Sequence, residues 1–147
     1  MIVSDNFFVE APLQVVWDYF MDIEKVSRCV PGVESVEEID KNAYTGKLSV
    51  RVGPISTSFS GTIDITEVVP PNRLVANISG DDRASASAVK AIFASTLEEA
   101  DGGTLVSYQV DLNLRGRLAQ FGSVVVNATA KKMTAEFVNN LRAQIES

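Results

Sequence analysis

The chain has 147 residues, a formal net charge of −6, 46% apolar residues and 22% charged residues. This length and mix predict one globular domain over residues 1–147 rather than a disordered chain. The acidic balance argues against nucleic acid as a partner, because affinity for nucleic acid comes mainly from cations that neutralise phosphates. The single cysteine, Cys29, excludes an intrachain disulfide, and the absence of histidine removes the commonest general base and metal ligand. We therefore expect neither a metal nor a cofactor.

The sequence also predicts a cytoplasmic location. Its first residues form no basic and apolar leader, and no apolar run approaches the roughly 18 residues of a membrane-spanning helix. A local cluster of cations can still contact an anionic membrane surface. Arg115 and Arg117, with Lys90, are the candidates for such a docking patch at the inner face of the membrane. The alternative is that they are ordinary solvated surface residues.

The N-terminal region predicts a strand followed by two short helices. Residues 2–10 are rich in β-branched and aromatic side chains, which is typical of a strand. Pro12 suits the first turn of a helix, and apolar residues then recur at helical spacing: Leu13, Val16, Trp17 and Phe20. Asp22 can cap a second short helix, which Pro31-Gly32 ends.

From residue 33 the period changes to two, which predicts antiparallel strands with one polar and one apolar face. Turn residues divide this region at Gly53-Pro54, Pro70-Pro71-Asn72, Asp81-Asp82 and Asp101-Gly102-Gly103. One strand is predicted over residues 84–98, and another begins near Val106. Apolar residues then recur at helical spacing over residues 118–145, which predicts one long helix of roughly 42 Å.

This order of elements predicts an α+β fold, with an antiparallel sheet of about seven strands that grips the long C-terminal helix. The apolar face of the sheet must be covered, and a space between sheet and helix would suit an apolar ligand. The side chains predicted to line that space are Leu48, Val50, Phe59, Ile63, Phe93, Tyr108 and Val110 from the sheet and Phe121, Val125, Met133 and Phe137 from the helix. The alternative is that they simply pack as core.

Several segments resemble a known family over nearly the whole chain. They are Phe8-Val9-Glu10-Ala11-Pro12, Cys29-Val30-Pro31-Gly32-Val33, Val52-Gly53-Pro54, Phe59-Ser60-Gly61 and Gly116-Arg117-Leu118-Ala119-Gln120-Phe121-Gly122. With the order of elements, they resemble the START-like (SRPBCC) superfamily and, within it, the family of the carbon monoxide dehydrogenase G subunit. The resemblance implies the helix-grip fold and binding of a hydrophobic molecule. It also implies an accessory role beside a molybdenum-containing CO dehydrogenase-type enzyme at the cytoplasmic membrane.

Three functions remain open on the sequence. The first is a noncatalytic accessory protein that binds a lipid or quinone-like molecule and recruits a molybdenum hydroxylase to the membrane. The second is an enzyme, a cyclase or hydrolase, that uses the same cavity; Tyr108 is then the one plausible acid or base in it. The third is an assembly factor that recognises a partner protein and has no ligand. Because no nucleophile is paired with a base, we expect no catalysis.

Overall fold

Seven strands form one antiparallel sheet in the computed structural model, which describes residues 1–146. In chain order the strands are β1 (Ile2–Val9), β2 (Val33–Asp40), β3 (Ala43–Val52), β4 (Ile55–Val69), β5 (Arg73–Asp82), β6 (Ser87–Ala100) and β7 (Gly103–Gly116). Their order across the sheet is β1-β7-β6-β5-β4-β3-β2. Each strand from β2 onward pairs with the next in the chain, and β1 closes the other edge against β7.

The helices are α1 (Leu13–Met21), α2 (Ile23–Ser27), a short 3₁₀ helix (Arg117–Gln120) and α3 (Ser123–Ile145). The two short helices after β1 are where the sequence predicts them, and the Asp22 carboxylate accepts a hydrogen bond from the Lys25 backbone N–H at 3.2 Å. The α3 helix contacts α1, β1 and β3. The predicted α+β helix-grip fold is therefore confirmed. Within residues 1–146, no helix has both the length and the apolar character needed to cross a membrane.

The long C-terminal helix begins later than the sequence predicts. Residues 117–120 form the 3₁₀ helix, and Phe121 is extended (φ −82°, ψ 139°) before α3 begins at Ser123. Leu118, which is 1% exposed, is held in the core beside Val52 and Ile55, and the Phe121 ring lies against Gly53. These contacts, with the low helix propensity of Gly122, favour a break over continuous helix.

The strand predicted over residues 84–98 is also displaced, because β6 spans Ser87–Ala100. Residues 83–86 form a turn instead, in which the Asp82 carboxylate accepts hydrogen bonds from the Ala84 N–H and the Ser85 hydroxyl. Ala86 has a positive φ of 50°. Local side-chain bonding of this kind competes with strand pairing, and alternation of residue types does not reveal it.

The predicted turn between the last two strands is confirmed as a two-residue hairpin. Asp101 and Gly102 lie between β6 and β7, with φ angles of 45° and 82°. Positive φ at both central positions is the requirement of the type I′ turn, which matches the twist of paired strands. This tight turn fixes the register in which Ser95 lies opposite Tyr108.

Two separate apolar clusters form the core. The larger lies around α1 and includes Val9, Val16, Trp17, Phe20, Leu74, Leu97, Val106 and Leu141. The smaller contains Val52, Ile55, Phe59, Leu118 and Val126. The central residues of the inner sheet face, Ile63, Ile78 and Phe93, belong to neither cluster. The apolar face is therefore tightly packed at both ends and loosely packed between them.

Candidate functional site

A cavity of about 310 Å³ lies between the inner face of the sheet and the helices. Strands β4 to β7 supply one wall, α3 supplies another, and α1 with α2 closes a third. Its lining comprises Phe7, Phe20, Ile23, Val26, Ser27, Val30, Ile63, Ile65, Leu74, Ala76, Ile78, Phe93, Val106, Tyr108, Met133, Thr134 and Phe137. We call it the main cavity. None of these described lining residues carries a carboxylate or a basic group, so the space suits an uncharged apolar ligand.

A second space of about 220 Å³ adjoins the main cavity towards the β2 edge of the sheet. Ser27, Val30, Ile63 and Ile78 border both spaces. Its other apolar side chains are Val33, Val36, Leu48, Phe59 and Val89. We call it the second chamber.

The structure divides the predicted lining residues into three groups. Ile63, Phe93, Tyr108, Met133 and Phe137 border the main cavity, and Leu48, Phe59 and again Ile63 border the second chamber. Val50, Phe121 and Val125 pack against the smaller core cluster instead and border neither space. Val110 shares the inner face and also borders neither space. Face alternation identifies the inward side of a strand but not the position along it where the space lies.

The main polar feature of the main cavity is a pair of hydroxyl groups. The Tyr108 phenol oxygen lies 2.6 Å from Thr134 Oγ1, and either oxygen can be the donor. The hydroxyl of Thr129, five residues earlier on α3, donates to the Val125 carbonyl of its own helix. The Thr134 hydroxyl instead bonds Tyr108 on the sheet. Two hydroxyls that share one hydrogen bond keep a second hydrogen free, so the pair can donate to a ligand oxygen.

Burial raises the pKa of Tyr108 above its usual value of 10.0, and the Asp5 carboxylate raises it further, while the Thr134 hydrogen bond lowers it. The phenol therefore stays protonated at neutral pH and is a donor rather than a base. Tyr108 also stacks on Phe93, with 6.2 Å between ring centroids. On its other side it borders a polar surface groove with Asp5, Asn127 and Lys131.

Several lining residues are missed by the sequence prediction. Thr134 is three residues before Phe137, so helical spacing places both on one face of α3 and could have revealed it. Ser27 belongs to a helix of only five residues, too short for a periodic signal. Ala76 and Ile78 alternate correctly along β5, but only the sheet order brings them under α3.

Comparison with known proteins assigns the family. The model of the family described as the carbon monoxide dehydrogenase G subunit (CoxG) matches residues 6–146. The chain belongs to the CoxG family. A search of curated proteins found no match for this CoxG-family chain.

Solved structures share the fold of this CoxG-family protein at low sequence identity. A conserved protein from Geobacillus kaustophilus has a TM-score of 0.90 and 20% identity, covering 99% of this chain and 95% of its own. A START superfamily protein from Mycobacterium smegmatis has a TM-score of 0.75 and 12% identity, covering 99% and 97%. The Zhui aromatase/cyclase from a Streptomyces species has a TM-score of 0.69 and 18% identity, covering 99% and 93%. These likenesses establish the START-like fold.

Exposed cations of the CoxG-family chain gather at one end of the sheet. Arg115 lies next to the last residue of β7. The backbone N–H of Arg117 donates to the Ala86 carbonyl, and this bond joins the 3₁₀ helix to the β5–β6 turn. The same turn contains Arg83. Arg51 lies at the nearby β3–β4 turn, where Gly53 meets Phe121. We call Arg51, Arg83, Arg115 and Arg117 the arginine end. Val124, in the first turn of α3, is 81% exposed and follows Arg117 by seven residues.

Proposed function

We propose that this protein is a noncatalytic accessory protein that holds an uncharged hydrophobic molecule, a lipid or quinone-like compound, in the main cavity. The observation that supports this most is the cavity of about 310 Å³, whose lining is apolar except for a few hydroxyl groups. Ligand sites of this kind combine apolar walls with a few polar groups that set orientation. Membership of the CoxG family supports a partner of the molybdenum-containing CO dehydrogenase type.

The noncatalytic role is supported by the chemistry of the cavity wall. Histidine is absent from the chain, and the lining of the main cavity contains no carboxylate, lysine or cysteine. Its hydroxyls are neither paired with a base nor activated by a low pKa, since the pKa of Tyr108 is raised. A cyclase or hydrolase using the same cavity is the alternative, suggested by the aromatase/cyclase that shares the fold.

Replacing Tyr108 with phenylalanine should weaken binding of a neutral quinone by about 0.5–1.5 kcal/mol, the net contribution of one ordinary hydrogen bond. Isothermal titration calorimetry with a short-chain quinone would measure this loss. Tyr44→Phe is the matched control, because that phenol hydrogen-bonds Glu38 on the exposed β2–β3 hairpin. A cyclase or hydrolase activity of the purified protein that disappears in Tyr108→Phe would instead establish the enzyme.

We further propose that the arginine end contacts the inner face of the membrane and so recruits the partner enzyme. The chain is acidic overall, so attraction must be local, and cations near an anionic surface contribute about 1 kcal/mol each. Leu118 and Phe121 are the large apolar residues that follow Arg117 most closely in the chain. Leu118 is buried and Phe121 packs against Gly53, so Val124 is the better candidate for insertion into the membrane.

The Arg115→Glu, Arg117→Glu double variant should lose most of a weak, salt-sensitive association with vesicles that contain anionic lipid. Flotation across a salt series would measure it, because electrostatic attraction is screened as ionic strength rises. Lys131→Glu with Lys132→Glu, which changes the same charge on exposed positions of α3, is the control. Strong binding that is indifferent to salt and unchanged in the Arg115→Glu, Arg117→Glu variant would place the contact elsewhere.

A further inference from the structure

The second chamber adjoins the main cavity at four residues that border both spaces. Ser27 and Val30 approach from the α2 side, and Ile63 and Ile78 approach from the sheet, where they are register partners on β4 and β5. All four border both spaces. Together the spaces form a path that leads from Tyr108 and Thr134, past these four residues, into the second chamber.

Polarity falls along that path. Tyr108 and Thr134 lie at one end, next to the polar groove formed with Asp5, Asn127 and Lys131. The second chamber also borders Lys47, Thr62 and Ser79. These three residues alternate with the inward-facing residues of their strands, so their side chains belong to the outer face of the sheet. The Thr62 and Ser79 hydroxyls bond each other on the exposed face at 3.2 Å.

Two glycines leave room in the second chamber. Gly61 on β4 and Gly80 on β5 are register partners, and both share the inward parity of Ile63 and Ile78. A Cβ on Gly61 would lie 1.9 Å from the Ser79 carbonyl oxygen, so this position cannot accept a side chain. A Cβ on Gly80 would be 3.3 Å from its nearest neighbour, the Ser60 carbonyl oxygen. A side chain at Gly80 therefore needs only a shift of a few tenths of an ångström in the neighbouring backbone, and its inward parity directs it to the chamber.

Resting on the proposed function, we propose that the second chamber binds the tail of a neutral single-chain amphiphile. The oxygen-bearing end of this amphiphile lies at Tyr108 and Thr134, and its hydrocarbon chain passes between Ser27 and Ile78. A carboxylate head would be desolvated in a main cavity that offers no cation, so a free fatty acid is excluded by the cost of burying its charge. The limited volume of the second chamber, about 220 Å³, makes chain length the property that the protein selects.

The test compares methyl ketones with a butyl and a dodecyl chain, titrated by calorimetry into the wild-type protein and Gly80→Leu. Each methylene buried in an apolar site raises affinity about fourfold, so Gly80→Leu should cost the dodecyl ketone at least about tenfold. The butyl ketone, which fits in the main cavity, should change less than about twofold. Asn77→Leu, on the outer face of the same strand and bordering neither space, is the matched control.

A second variant, Val36→Phe, fills the second chamber from β2, where Val36 borders that chamber and not the main cavity, so it should give the same selective loss if Gly80→Leu fails to fold. If the variants lose affinity equally for both ketones, or lose none for the dodecyl ketone, the second chamber is not a tail site. The proposed function would remain intact. Failure of the wild-type protein to bind either ketone would contradict the proposed function. If dodecanoate binds as tightly as the dodecyl ketone, the proposal that the head of the ligand is uncharged is wrong.

Discussion

Replacing Phe59 with alanine is expected to lower the free energy of unfolding by about 3–5 kcal/mol, whereas Phe137→Ala is expected to lower it by only about 1–2 kcal/mol. Phe59 also borders the second chamber, but it is 7% exposed and packs in the smaller core cluster with Ile55 and Leu118, so its removal loses those core contacts. Phe137 is only half-buried and borders the main cavity, where its ring meets Phe7 edge-on at 6.1 Å. An existing space has fewer contacts to lose.

Guanidinium unfolding followed by the fluorescence of Trp17, the single tryptophan, would measure both losses. Phe8→Ala provides a comparison at a partly buried phenylalanine on β1 that borders neither the main cavity nor the second chamber. Equal losses of about 3–5 kcal/mol at Phe59 and Phe137 would mean that Phe137 is tightly packed core. The space beside it would then be too small to admit a ligand.

Replacing Ala76 with phenylalanine is expected to abolish binding of a neutral hydrophobic dye, with affinity falling at least about a hundredfold, or about 2.7 kcal/mol. Ala76 lies at the centre of the cavity wall on β5, between Leu74 and Ile78, and its register partners are Ile65 and Phe93. An aromatic ring added there occupies the volume that the ligand needs. Because the ring fills an existing space, the fold should lose little stability.

Fluorescence titration with Nile red would measure the change, and Asn77→Phe is the control. Asn77 is the next residue on the same strand and is exposed on the outer face, so it receives the same ring outside the cavity. Circular dichroism of both variants would establish that the sheet is intact. Unchanged dye affinity in Ala76→Phe would show that the dye, and by extension the ligand, binds elsewhere.

Most of the fold can be predicted from the sequence because local chemistry and long-range packing agree. Alternation places Ile63 and Tyr108 on the inner face, and Asp101-Gly102 forms the hairpin that its residue types require. The start of α3 could not be predicted, because Leu118 and Phe121 follow helical spacing yet are held by tertiary contacts. Packing overrides propensity at such a position.

The candidate site is less predictable than the fold. Periodicity identifies inward side chains, but Val50 and Leu48 share a face while only Leu48 borders a cavity. Val50 lies closer than Leu48 to the packed end of the sheet along β3. The position of that packed end depends on where Phe121 packs. The hydrogen bond between Tyr108 and Thr134 joins residues 26 apart in sequence, and no local pattern reports it.

The most direct measurement is mass spectrometry of small molecules released by denaturing the purified protein. We expect the wild-type protein and Asn77→Phe to release the same uncharged, chain-bearing molecule in near-stoichiometric amount, and Ala76→Phe to release little or none. Native mass spectrometry should show the same mass as an adduct of the folded protein, lost in Ala76→Phe. A wild-type protein that contains no such molecule and takes none up from a lipid extract would contradict the ligand-binding function, as would an equal amount released from Ala76→Phe.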